Sequence, residues 1–507
     1  MAAENAALAG GKMGGIGDVI RDLPAALADL GLQITVLTPS YGSLQKLPGA
    51  RALGSLQSNF RGINQEVDVW EVHGAVGTVR SLVLDHNLFM PTEPGVIYHS
   101  DGDDRPFATD ANKFAFFCAG VACWVETLES TPAAIHLHDW HAGTVAVLRA
   151  FEPRFECLRQ TPIVLTIHNL AYQGQRPFTG DPSAFEEWFP GLDYTPEQIA
   201  DPGFDCYNPM AAAIRLADRI NTVSPTYAKE ILRKSEPGRG FVGGEGLEDD
   251  LNTAAEQGRL TGILNGCDYS MPRTRPAPWG EFLKLAKTTV GAWKAEADAR
   301  VHRLALERLG QLPRRRPPHV LTSVGRVVEQ KMRLLLEPDN DGVTALEAVL
   351  DRLGSRGHFF LLGNGEPRYE GRLEAIAADR ENMTYFRGYS EALGDELYRT
   401  GDLFLMPSSF EPCGISQLRA MREGQPCVVH GVGGLADTVE DGVSGFVFRG
   451  DTAQEQSAAF VECVGNALTL RDRHPRQWRR LREQAAGQRF EWSASALQYI
   501  ETIYERL

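Results

Sequence analysis

Short apolar runs recur along the chain, separated by stretches in which apolar positions repeat at helical spacing. Ile34–Thr38, Val67–Val72, Val79–Leu84, Ala133–His138, Ile163–His168, Arg219–Val223 and Leu260–Leu264 read as strands, with helices between them. This is the βαβ rhythm of a parallel sheet covered on both faces. A second alternation starts at His319–Gly325. It continues through His358–Gly363, Met383–Arg387, Asp402–Met406 and Pro426–His430. Asn265–Pro278 carries prolines and few apolar residues, and reads as an interdomain linker. Gly280–Leu309 reads as mostly helical, Pro313–Pro318 as a basic turn, Pro237–Asp249 as an exposed loop, and Ala494–Leu507 as a closing amphipathic helix. The expected fold class is α/β: two successive doubly wound domains, 1–268 and 269–490, then a terminal helix, 491–507. Ligands are expected at the carboxyl ends of the strands, in the cleft between the domains.

Composition narrows the class of partner. A length of 507 residues calls for more than one domain. A net charge of −15 argues against nucleic acid, whose phosphates need a basic surface, but does not oppose a neutral polysaccharide. The eight cysteines form no C-x-x-C pair, which in a long chain points to a reduced, cytoplasmic protein. The longest apolar run, Phe114–Val125, is too short to span a bilayer and fits a buried helix. Met1–Gly11 lacks the basic start and apolar core of a secretory leader.

Three stretches carry candidate chemistry. Strand Asp402–Met406 runs into a loop holding Glu411, Pro412 and Gly414, and Ile415–Arg422 reads as helix with Pro412 suited to its first turn. Gly414 allows close approach of a ligand, and the free N–H groups of the helix start suit a diphosphate. Glu411 could hold the hydroxyls of an attached sugar; an ordinary loop with a surface glutamate fits the spacing equally. Lys12-Met-Gly-Gly-Ile-Gly-Asp18 precedes the helix Val19–Leu30, and its glycines and lysine suit a phosphate. The glycine pattern alone could serve a dinucleotide or a tight turn. Thr38-Pro-Ser-Tyr41 lacks the acidic residue that a nicotinamide site needs after its second strand. A hydrophobic strand belongs before such a loop, yet only Met1–Asn5 stand there. Most of a central strand is therefore expected to be lacking, which should weaken the first domain. In His136-Leu-His-Asp-Trp-His141 two histidines share a strand face, but no further ligand pair follows, so no metal is expected.

The wording of these stretches resembles one family. Ser409-Phe-Glu-Pro-Cys-Gly-Ile-Ser-Gln-Leu418 resembles the donor loop of bacterial glycogen synthases and plant starch synthases. Thr166-Ile-His-Asn-Leu-Ala-Tyr-Gln-Gly174 is similar residue for residue to a block of that family. The Lys12 loop looks like its Lys-x-Gly-Gly-Leu signature, with Met13 where Thr or Val is common. Leu264-Asn-Gly-Cys-Asp268, Ser323–Lys331, Gly388-Tyr389, Asn221–Glu230 and the glycine loop Gly431–Thr438 are also family-like. The resemblance covers nearly the whole chain and is weakest in Asp101–Ala111 and Met271–Pro318.

The resemblance implies the GT-B fold, two Rossmann-like domains with the last helix crossing back onto the first. It implies transfer of glucose from ADP-glucose to the non-reducing end of an α-1,4-glucan, with retention. The partners it implies are that donor and glucan, with no cofactor, metal, nucleic acid or membrane. It implies catalytic roles for Glu411, His168, Asp139, Arg326 and Lys331. It implies donor contacts from Lys12, Gly14, Gly15, Asn169, Asn265, Tyr389, Cys413, Gly414, Ile415 and Ser416. A site split over two domains further implies that closure gates turnover. Two positions depart from the pattern: Arg419 stands where many related transferases have a second glutamate, and Met332-Arg333 replaces Gly and an apolar residue. A UDP-glucose or small-acceptor transferase, and an inactive glucan-binding scaffold, are the alternatives.

Overall fold

The computed structural model describes residues 1–74, 77–102, 104–270, 273–293 and 299–507. The chain divides into two compact units. Unit 1 comprises Met1–Ser235, Gly243–Gly266 and Glu491–Leu507; unit 2 comprises Glu236–Val242 and Cys267–Phe490. The loop read at Pro237–Asp249 is thus shared between them. Residues 271–272 of the expected linker lie outside the described residues.

Unit 1 holds β1 (Thr35–Pro39), β2 (Arg51–Phe60), β3 (Ile63–Val72), β4 (Arg80–Asp85), β5 (Ile135–His138), β6 (Ile163–Ile167), β7 (Arg219–Thr222) and β8 (Leu260–Gly262). They form two sheets, β1-β4-β3-β2 and β5-β6-β7-β8. The second is parallel throughout, as the alternation predicts. The first is not: β2–β3 and β3–β4 are antiparallel. The turn at Arg61 and Gly62, both with positive φ, closes β2 and β3 into a hairpin whose twist matches its strands. The sequence reading missed β2 because its first five residues are all exposed, leaving no apolar alternation to detect.

Residues 1–3 occupy the place of the expected central strand. Ala2 N donates to Leu37 O of β1 at 3.2 Å. On the other side the Met1 amine donates to His136 O of β5 at 2.8 Å, and His138 N donates to Met1 O at 3.3 Å. One short segment therefore bridges both sheets. Helix α1 (Gly15–Asp29) follows it, and α2 (Ala108–Glu126) is buried along most of its length, which accounts for the apolar run there.

Unit 2 holds β9 (His319–Val324), β10 (Gly357–Gly363), β11 (Met383–Arg387), β12 (Leu403–Met406), β13 (Cys427–His430) and β14 (Gly445–Phe448). All pairs are parallel, in the order β11-β10-β9-β12-β13-β14. The order reverses between β9 and β12, the switch point where doubly wound sheets bind ligands. Helix α3 (Glu329–Leu336) follows β9, α4 (Ser416–Arg422) follows β12, and α5 (Gly433–Thr438) follows β13. Pro412 does not open α4: the helix starts four residues later, and Gly414, at φ +77°, turns the chain before it. The stretch Gly280–Leu309 is Trp279–Trp293 and Ala299–Gln311, with 294–298 outside the described residues. Helix α6 (Pro475–Gly487) belongs to unit 2, and α7 (Trp492–Thr502) to unit 1. There Trp492, Ala496, Tyr499 and Ile503 pack against Val19, Leu23 and Leu27 of α1 in one buried cluster. Among the described residues no helix is long and apolar enough to cross a membrane.

Candidate active site

In unit 2 the sequence-predicted residues gather at the switch point. Arg326 and Lys331 follow β9, and Glu411 follows the neighbouring β12. Lys331 Nζ donates to Glu411 Oε2 at 2.7 Å, and Ser408 Oγ donates to the same oxygen at 2.9 Å. Glu411 is only 6% exposed, so its charge needs such partners. Arg326 is exposed and, among the described residues, has no hydrogen-bond or ion-pair partner. Its guanidinium is therefore available to an anion. Ser323, Gly325, Lys331, Met406 and Ser408, among others, line a small hollow at this point.

The loop carrying Glu411 is held from two sides. Gln330 O accepts from Ser409 N at 2.8 Å, and Gln330 Nε2 donates to Phe410 O at 3.0 Å. From the other side Gly434 N, in α5, donates to Glu411 O at 3.1 Å and to Pro412 O at 3.2 Å. A Cβ at Gly434 would overlap the Cys413 backbone, so this approach requires glycine. His430 Nδ1 is 3.0 Å from Ser408 O, and burial lowers its pKa to about 4. Cys413 is buried, while Gly414, Ile415 and Ser416 are half-buried at the end of the loop. Tyr389 is 65% exposed.

Unit 1 assembles its own set at the carboxyl ends of β5 and β6. Asp139 sits at φ 57° and ψ −174°, a region that side chains other than glycine adopt only under strain. Its Oδ1 accepts from His168 N at 2.6 Å. Burial raises the Asp139 carboxyl to about 7, against the opposing effect of backbone bonds from His168 and Asn169. His168 Nε2 lies 2.9 Å from His138 Nδ1, and His138 stacks on His136 at 4.4 Å. Burial pushes His168 and His136 down to about 3, and His138 well below its ordinary value. The three rings are therefore neutral near pH 7. Asn169 Oδ1 accepts from Ala171 N at 3.0 Å, and Asn265 is buried with its Oδ1 unpartnered.

The glycine loop differs from the simplest expectation. Glu4 Oε2 accepts from Met13 N at 2.8 Å and Gly14 N at 2.6 Å, and Tyr98 donates its hydroxyl to Glu4 Oε1 at 2.9 Å. The amides that suit a phosphate are already bonded to a buried carboxylate. Gly15 opens α1. Lys12 Nζ donates to both oxygens of Asp18 at 2.7 Å, so its charge is partly matched within the loop. Sequence reasoning missed Glu4, Asp18, His138, Ser408 and Gln330. All five stood in or beside stretches already singled out, but which group each one meets is set by the fold. Among the described residues no group of three or more His, Cys, Asp or Glu is placed to hold a metal ion.

The chain is similar to known proteins over nearly its whole length. A family model described as starch synthase catalytic domain matches residues 1–253, and one described as glycosyl transferases group 1 matches residues 318–466. Glycogen synthases of Anaeromyxobacter dehalogenans (strain 2CP-C) and Moorella thermoacetica are each 33% identical to the chain. They match over 98% of its length and over 97% and 94% of theirs. The solved catalytic domain of starch synthase IV from Arabidopsis thaliana, bound to ADP and acarbose, superposes with a TM-score of 0.77 at 28% identity. It covers 99% of this chain and 97% of its own. Sucrose-phosphate synthase from Thermosynechococcus elongatus shares the fold, with a TM-score of 0.54 at 17% identity. On these matches, which run over nearly its whole length, the chain belongs to the glycogen and starch synthase family of retaining hexosyltransferases with the GT-B fold.

Proposed function

We propose that the protein transfers glucose from ADP-glucose to the non-reducing end of an α-1,4-glucan, with retention at the anomeric carbon. The observation that carries this reading is the triad at the unit 2 switch point: Arg326 free, Lys331 paired with Glu411, all at the ends of β9 and β12. Breaking the sugar–phosphate bond leaves an oxocarbenium-like sugar and a diphosphate that gains negative charge. Fixed cations placed on that charge lower the barrier without reorganisation. Within unit 2, Arg326 and Lys331 take this role on the diphosphate. The half-buried ends at Ile415 and Ser416 follow the donor loop. Glu411 holds the hexose hydroxyls, and its bond to Lys331 keeps the carboxylate oriented. Within unit 1, His168 and Asp139 are the groups proposed to contact the hexose. Burial raises the Asp139 carboxyl to about 7, so it holds a proton far more readily than an ordinary carboxylate. Retention follows if the acceptor hydroxyl attacks the same face and its proton passes to the departing phosphate. Within unit 2, Tyr389, Cys413 and Gly414 complete the donor contacts.

The test is incorporation of labelled glucose into glycogen from ADP-glucose and from UDP-glucose, measured side by side. Faster incorporation from ADP-glucose is expected. Preference for UDP-glucose would reassign the donor, and no incorporation from either would leave a glucan-binding scaffold as the better reading.

A further inference from the structure

Unit 2 carries a group of arginines that the transfer reaction does not use. Arg482 of α6 donates Nε to Gly424 O at 2.8 Å, just beyond the C-terminal end of α4. A Cβ built at Gly424 would overlap the Arg273 guanidinium, so Arg273 lies against the same turn. Arg482 also feels the charges of Asp402, Arg273 and Arg316. Asp402 is buried; it accepts from Arg316 Nη2 at 2.8 Å and faces Arg471 Nη2 at 2.9 Å. Arg316 and Arg471 thus share the Asp402 carboxylate, and Arg482 feels its charge without a bond to it. Glu423, beside Gly424, accepts from Arg422 on Oε1 at 3.1 Å, and its Oε2 is buried without a hydrogen-bond partner. Burial, and after it the neighbouring arginines, lowers Arg471 and Arg482 below the usual arginine value.

We propose that this cluster is a binding site for a small, multiply charged phosphate anion, with Arg273 and Arg482 as its principal ligands. Capping the end of α4 explains one hydrogen bond, the one from Arg482 Nε. It leaves the Nη edge of Arg482 without a hydrogen-bond partner among the described residues, and Arg273 makes no hydrogen bond or ion pair among them at all. Planar guanidiniums match phosphate oxygens in paired bonds, and charge-assisted bonds of this kind are the strong ones. A chain of net charge −15 repels an extended polyanion, whereas a small anion meets only the local surplus of positive charge. The site stands at the opposite end of α4 from Ser416 and the donor loop.

Inorganic phosphate titrated calorimetrically into the whole 507-residue chain, with ADP present in excess, tests this. Saturable binding is expected in the parent protein. Arg273→Ala removes an exposed side chain that makes no internal bond, so it should fold normally, and it should weaken phosphate at least tenfold. Arg482→Lys keeps a donor for Gly424 O but loses the fork, and should weaken it as well. Absence of saturable heat in the parent protein overturns the proposal. So does a heat that shrinks as ADP is raised, which marks displacement from the donor loop, and so does unchanged affinity in either variant. The variant comparison holds whichever nucleotide the enzyme prefers, so its failure is distinct from failure of the donor assignment.

Discussion

Lys331→Met removes one charge from a pair and leaves the other in place. The partners are 2.7 Å apart, with side chains 16% and 8% exposed. At an effective dielectric of about 20, unit charges at that distance attract by roughly 6 kcal/mol before desolvation is counted. Breaking a buried pair from one side destabilises by about 3–5 kcal/mol, because an uncompensated charge remains. Ser408 still donates to the same Glu411 oxygen, and Lys331 keeps some solvent contact. The expected loss is therefore about 2–3 kcal/mol. Urea unfolding should be read on the transition of unit 2, since the two units need not unfold together. Glu411→Gln in the same background removes the stranded charge and should recover much of the loss. Turnover behaves differently. Losing a transition-state cation should lower it roughly a hundredfold, about 2.7 kcal/mol, and the second substitution should not restore it. Stability effects that add to within about 0.5 kcal/mol would show that the two side chains are not coupled. Near-normal turnover in Lys331→Met would take the lysine out of the mechanism.

Three further outcomes follow from the same geometry. Gly434→Ala should push the Cys413 backbone away and lower kcat/KM for the donor while leaving the fold intact by circular dichroism; unchanged kinetics would mean that the loop tolerates the shift. Gln330→Ala removes the bond to Phe410 O and should raise the donor KM by several fold, about 0.5–1.5 kcal/mol, with little change in stability; an unaltered KM would argue against the loop's need for that anchor. His136 and His168 hold protons only below about 3 in the folded chain, whereas the unfolded chain takes them up near 6.5. The unfolded state therefore binds more protons between those values, and stability should fall as pH drops from about 6.5 toward 3, by about 1.4 kcal/mol per pH unit for each histidine. His168→Gln should remove one such contribution from the slope of urea midpoint against pH, and an identical slope would refute burial as the cause.

Much of this was legible in the chain. A parallel strand flanked by helices must hide both faces, so β9 to β13 appear as apolar runs, and their ends mark where ligands bind. Arg326, Lys331 and Glu411 lie within a few residues of those ends, as their places in the short motifs led one to expect. Less of the first sheet was readable. In β2 one face looks to solvent, and β3 joins it through a hairpin, so apolar content falls below what separates strand from loop. β14, Gly445-Phe-Val-Phe448, was also missed, although three of its four residues are apolar.

By itself the order of residues determined the two α/β halves, the switch-point loops and the chemical identity of the cations and carboxylates, because these depend on local periodicity and on neighbours close in sequence. Only the tertiary structure decided which charges meet. Glu4 closes over the amides of Met13 and Gly14 from nine and ten residues away, Lys331 reaches Glu411 across 80 residues, and His138 meets His168 across 30. Such contacts arise where adjacent strands end side by side, and adjacency in a sheet is set by packing of the whole layer, to which no local stretch of sequence is sensitive.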